Sequence, residues 1–69
     1  MGTLAGFPDL FFPEPRQNYH GMFIEMKYGK AKPTAAQDEV MDILIKYGYL
    51  ALVADSFDKF KLFVDRYFK

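Results

Sequence analysis

The apolar positions change rhythm along the chain, and each rhythm predicts an element. Leu10, Phe11 and Phe12 form a short apolar run that Pro13 ends. From Pro13 to Asn18 the chain reads as a turn, because two prolines fix φ and remove backbone donors. Tyr19 to Tyr28 then reads as a strand. Its alternation sets Met22, Ile24 and Met26 on one face and Phe23, Glu25 and Lys27 on the other. Two extended runs joined by a turn predict an antiparallel hairpin.

The second half is paced differently. Gly29 to Pro33 is a loop, and Thr34 opens a helix with a capping box, Thr34 as N-cap and Gln37 three residues on. Val40, Met41, Ile43, Leu44 and Tyr47 supply the apolar spacing of that helix, and Gly48 is its natural terminator. Tyr49 to Ala54 is apolar throughout, as a strand buried on both faces would be. Asp55 or Ser56 caps a last helix with Phe57, Phe60, Phe63, Val64 and Tyr67 at helical spacing. Lys59, Asp65 and Arg66 fall on its solvent side. The order is β-β-α-β-α, a small α/β (α+β) unit with helices packed on a mixed sheet. The crossover between the second and third strands is long enough to make them parallel neighbours.

Length and composition narrow this picture. Sixty-nine residues make a single domain, 1–69, whose own core is marginal. With no cysteine, neither a disulfide nor a thiolate metal site supplements it. Eight Phe and five Tyr are more aromatic surface than so small a monomer easily hides, which favours a homo-oligomer. The opening, Gly2 to Gly6, is small and flexible. It carries neither the basic start nor the apolar stretch of a secretory signal, and no run approaches the ~18 residues of a membrane span. A cytoplasmic setting without membrane is the expectation. Acids and bases number nine each, so the overall basic excess common in nucleic-acid binders is missing. Residues 16–32 nevertheless hold Arg16, Lys27, Lys30 and Lys32 against Glu25 alone. Phosphate contact, if any, belongs there.

The candidate chemistry lies in the same region. Residues two apart on a strand point the same way, so Glu25 and Lys27 set a carboxylate beside an ammonium. Alone, such a pair is usually a solvated surface pair. Asp9, at the mouth of the first strand, changes its meaning, because the hairpin allows Asp9 to approach Glu25 across the strand pair. Two carboxylates and a nearby backbone carbonyl make a hard, all-oxygen site suited to Mg²⁺ or Mn²⁺ rather than Zn²⁺. Lys27 is placed to stabilise developing charge or to position a water. His20, the only histidine, has no Ser or Cys in a recognisable catalytic arrangement and reads as structural or solvated.

Four segments, in order, resemble one family. They are Gly6-Phe7-Pro8-Asp9-Leu10-Phe11, Gly21-Met22-Phe23-Ile24-Glu25-Met26-Lys27, Lys32-Pro33-Thr34-Ala35-Ala36-Gln37 and Tyr47-Gly48-Tyr49. Together they look like the VRR-NUC domain, a branch of the PD-(D/E)xK nucleases common in phages and bacteria. The likeness runs from about Gly6 to Tyr67. It implies the restriction-endonuclease-like fold and a Mg²⁺- or Mn²⁺-dependent endonuclease that hydrolyses DNA phosphodiesters. It further implies a homodimer acting on branched DNA such as Holliday junctions, in the cytoplasm of a bacterial or phage-infected cell.

Residue by residue, the resemblance makes Asp9 and Glu25 the metal-binding acids, with the carbonyl of Met26 completing the protein ligands. Lys27 matches the catalytic lysine and Gln37 the family glutamine, beside the site, where it orients the water or the lysine. The capping box accounts for Gln37 equally well without catalysis. Arg16, Lys30 and Lys32 are the candidate phosphate contacts. One departure stands out: family members usually begin with a helix that adds a glutamate, whereas eight residues precede Asp9 and none is acidic. Either a segment is missing, or another chain supplies it, or the full constellation is absent. The alternative function is therefore a catalytically incomplete domain that binds DNA or protein. A third reading is a structural module whose acids and lysine are accidental.

Overall fold

In the computed structural model, which describes residues 6–69, the order β-β-α-β-α is realised. The strands are β1 (Leu10–Phe12), β2 (Met22–Met26) and β3 (Leu50–Ala54), and the helices are α1 (Ala35–Lys46) and α2 (Phe57–Tyr67). The sheet runs β1-β2-β3, with β1 antiparallel and β3 parallel to β2. Both the hairpin and the parallel crossover expected from the sequence are present. Apart from Gly6, the expected small, flexible opening lies outside the described residues, as does the segment where the family's extra glutamate was sought.

Alternation on the strands divides the apolar residues between two cores. Met22 and Ile24 join Ala54 and Tyr67, and Phe60, Phe63 and Val64 of α2 pack over them. Phe23 joins Ala51 and Met41, with Leu44 of α1 alongside. One helix therefore covers each face, which is why β3 reads as apolar on both sides. Among the described residues no helix is long and apolar enough to cross a membrane.

Three expectations need correction. The second strand pairs regularly only over Met22–Met26, not from Tyr19 to Tyr28. Its start is consumed by a two-residue reversal in which Arg16 and Tyr19 exchange backbone bonds of 3.2 and 2.8 Å. The reversal itself comes from Gln17 and Asn18, both at positive φ (52° and 70°), the signature of a type I′ turn, rather than from the prolines. Finally, Ile43 and Tyr47 do not face the core but are 53% and 64% exposed. They lie one turn apart on the side of α1 opposite Met41, since positions two apart on a helix diverge by about 200°.

The turn is tied to the end of α2. Gln17 donates through Nε2 to the carbonyls of Arg66 and Tyr67, which lack helical partners there. The buried Tyr67 hydroxyl donates to the Glu14 carbonyl at 2.6 Å. At the other end of the hairpin, Gly6 approaches the first turn of α1 so closely that a Cβ would lie 2.5 Å from the Ala36 carbonyl oxygen. With φ at +84°, only glycine passes there without strain. This contact brings the segment leading to Asp9 against the start of α1.

Candidate active site

Register decides which side chains meet. Leu10 pairs with Ile24 in the antiparallel ladder, so Asp9, one step outside β1, comes opposite Glu25. The Asp9 carboxylate accepts a hydrogen bond from the Met26 amide at 3.0 Å. Two acids 16 positions apart thus share the end of one strand pair. Lys27 follows β2 directly, and its amide still donates to the Ala54 carbonyl at 2.9 Å, so its backbone keeps the direction of the strand. Gln37 belongs to the first turn of α1.

Glu25 is the centre of the arrangement. It is 3% exposed and the only buried charged residue described. Gln37 Nε2 donates to its Oε2 at 3.1 Å, and Lys27 Nζ stands 3.8 Å from the same oxygen. Its Oε1 is buried without a hydrogen-bond partner among the described residues. A buried ionised carboxylate is costly unless its lone pairs are met. Burial accordingly raises the Glu25 pKa, and the charge of Asp9 raises it further. The Lys27 ammonium opposes this.

Asp9, Glu25, Lys27 and Gln37, the residues expected to be catalytic, therefore come together in space. Gln37 takes Glu25 as its hydrogen-bond partner, beside the water or lysine that the resemblance implies it orients. The capping box is complete at the same time: Thr34 N–H donates to Gln37 Oε1 at 2.9 Å, and Gln37 N–H donates to Thr34 Oγ1 at 3.2 Å. The two explanations of Gln37 hold together rather than compete. Met26 contributes its amide, to Asp9.

The candidate phosphate contacts divide. Lys30 and Lys32 are exposed in the loop between β2 and α1. Arg16 instead bonds Glu14, donates to the Phe68 carbonyl at 3.1 Å and lies over the Phe68 ring. Its contacts fasten the turn to the end of α2. His20 packs its ring against Gly48 and Tyr49, a structural position. Gly6, which belongs both to the small opening and to the family-like segment Gly6-Phe7-Pro8-Asp9, packs closely on the start of α1.

A divalent cation fits this donor set. Glu25 Oε1 is a buried, unpartnered carboxylate oxygen, and Asp9 supplies a second carboxylate beside it. Among the described residues no group of three or more His, Cys, Asp or Glu side chains converges. The carboxylates available to a cation here are therefore those of Asp9 and Glu25.

Residues 1–58 match the family model of the VRR-NUC domain. A solved structure described as a VRR_NUC domain protein is similar at a TM-score of 0.91 and 41% sequence identity over 97% of this chain. The chain spans 56% of the length of that solved protein. No match was found among curated proteins.

Proposed function

Since the chain belongs to the VRR-NUC family, a nuclease-family domain, we propose that Asp9, Glu25 and Lys27 form the core of a Mg²⁺- or Mn²⁺-dependent DNA endonuclease. The observation that carries this reading is Glu25: a buried carboxylate with one oxygen unmet, a second carboxylate across the strand pair and a lysine on the same face. A fold gains nothing from such a group by itself. Asp9 and Glu25 would hold the cation, with the Met26 carbonyl as a further oxygen. When bound, it supplies Lewis-acid polarisation of a phosphodiester and a lowered pKa for a coordinated water.

The residues themselves have distinct tasks. Glu25 is held from one side by Gln37, which keeps its carboxylate from rotating. Lys27 keeps its ammonium within reach of Glu25 and is 20% exposed at its side chain, so it is open towards a substrate phosphate, where its charge favours a more negative transition state. Lys30 and Lys32 are free to position the phosphate backbone.

Branched DNA is the proposed substrate, by the family resemblance, and a homodimer the proposed assembly. Support for a partner surface comes from exposed Tyr28, Ile43, Ile45, Tyr47 and Phe57. A shallow apolar pocket of about 180 Å³ between Leu10, Met26, Tyr28, Phe57 and Phe60 adds to it. Sedimentation equilibrium reads the assembly directly. The decisive assay compares cleavage of a synthetic four-way junction and a linear duplex in Mg²⁺ or Mn²⁺ by the wild type and Lys27→Ala. Junction cleavage lost in the variant is expected, and equal cleavage by both ends the enzymatic reading. Among the described residues no third carboxylate converges on Asp9 and Glu25, which favours a second reading, a domain that binds DNA without cutting it. Junction binding without Lys27-dependent cleavage would select it.

A further inference from the structure

A carboxamide has two unlike ends, an acceptor oxygen and a donor NH₂ group, and its function depends on which end faces which neighbour. At Gln37 the neighbours settle the matter. The backbone N–H of Thr34 can only donate, so the end 2.9 Å away must be Oε1. The opposite end, Nε2, then meets Glu25 Oε2 at 3.1 Å. A reversed amide would set NH₂ against N–H and oxygen against carboxylate, two repulsive contacts in place of two bonds. The reciprocal bond from Gln37 N–H to Thr34 Oγ1 at 3.2 Å holds the turn in the position that makes this possible.

We propose that Thr34 is a positioning residue for the carboxylate site: its hydroxyl holds the first turn of α1 so that its own backbone N–H meets Gln37 Oε1, which turns Nε2 towards Glu25 Oε2 and leaves Glu25 Oε1 free. The inference deepens the reading of Asp9 and Glu25 as cation ligands and rests on it for its functional consequence. Glu25 provides the independent observation. Its two oxygens are treated oppositely, one engaged by Gln37 and Lys27, the other buried with no partner. The N-cap of α1 is therefore a structural cap and a clamp on the site at once.

The molecule carries its own control. Ser56 also caps α2, its hydroxyl accepting from the Lys59 amide at 3.1 Å without a reciprocal side-chain bond, and among the described residues no hydrogen bond or ion pair joins Ser56 or Lys59 to Glu25. Thr34→Ala and Ser56→Ala should lower the melting temperature comparably. Only Thr34→Ala should weaken Mn²⁺ binding in a calorimetric titration, by roughly three- to tenfold, less than the ~10–100-fold that direct partners of metal ligands carry, because Thr34 acts through Gln37. In metal-free protein, Thr34→Ala should also move the Gln37 side-chain NH₂ resonances, and Ser56→Ala should not. Thr34→Ser, which keeps the hydroxyl, should restore both readouts.

Equal loss of Mn²⁺ affinity in Thr34→Ala and Ser56→Ala would reduce the effect to global stability and overturn the proposal. Unchanged Gln37 resonances in Thr34→Ala would do the same. Should the wild type bind no Mn²⁺, the cation reading fails separately, and the metal-free resonances decide the role of Thr34 alone.

Discussion

The two faces of the sheet are built from the same materials and put to different uses. On the α2 face, Met22, Ile24, Ala54 and Tyr67 are buried with no charge among them, and the one buried hydroxyl is satisfied by the Glu14 carbonyl. On the α1 face, the alternation that brings Phe23 to Met41 also carries Glu25 inward, next to Asp9. The first arrangement keeps charge out of its core. The second accepts an incompletely partnered charge within a chain too short to hold a large core, and such a cost persists where a site requires it. The contrast is open to attack from either side, and the effects expected differ in size and sign.

The largest effect should come from the apolar face. Ile24 is fully buried against α2, so Ile24→Ala should cost roughly 2–5 kcal/mol, enough to unfold much of a small domain. Chemical denaturation measures it. A loss below 1 kcal/mol would show that α2 is not the stabilising side.

Glu25→Gln should do the reverse. A folded carboxyl pKa raised above its ordinary value of 4.5 means that the native state holds the proton where the unfolded state has released it. Stability then falls as pH rises from 4.5 through the raised folded value, and the loss is complete above that value. The amide keeps an acceptor for Gln37 and removes the charge, so the variant should gain roughly 1–3 kcal/mol over the wild type at pH 7.5 without added cation. The gain should shrink towards pH 4.5. Melting curves of both proteins across that range test the sign. Millimolar Mg²⁺ should raise the wild type and leave Glu25→Gln unmoved. A variant less stable than the wild type at pH 7.5 would contradict the claim that Glu25 is a cost.

Lys27→Met probes the same charge from the other side. The ammonium 3.8 Å from Glu25 Oε2 lowers its pKa, so removing it should raise that pKa further. The sign is therefore opposite to that of Glu25→Gln: a loss of roughly 1–2 kcal/mol at pH 7.5, vanishing at acid pH where Glu25 is protonated. In Glu25→Gln the same substitution should be nearly neutral, and a double-mutant cycle at pH 7.5 checks that coupling. Additive effects would separate the two residues.

Much of this was legible in advance for a physical reason. Strand alternation alone places Glu25 and Lys27 on one face, and a hairpin register alone sets Asp9 opposite Glu25. Both need only a period of two and a turn. What escaped the sequence depends on through-space detail. The close approach of Gly6 to Ala36, which lays the segment leading to Asp9 on the start of α1, is such a detail. The exposure of Ile43 and Tyr47 escaped because α1 is apolar around much of its circumference, which leaves the buried side to be chosen by the sheet. Arg16 was placed with the phosphate contacts by charge, while its partners, Glu14 and Phe68, bind it to α2. Likewise the prolines marked a loop correctly but not its reversal, which two non-glycine residues make at positive φ.

That reversal supplies the smallest and most selective test of the two-sided scheme. Asn18 holds φ at 70° in the second central position of the turn, a conformation Asn tolerates and glycine adopts freely. Asn18→Gly should therefore relieve backbone strain, offset in part by the greater freedom of glycine in the unfolded chain. The net gain should be about 0.5 kcal/mol. The turn is fastened to the end of α2 through Gln17, Arg16 and Tyr67, so this gain belongs to the apolar face. It should appear as the same increment at pH 4.5 and pH 7.5, with Mg²⁺ or without. A gain that changed with pH or with Mg²⁺ would mean that the α2 face and Glu25 are energetically joined, and the division of labour between the two faces would have to be abandoned.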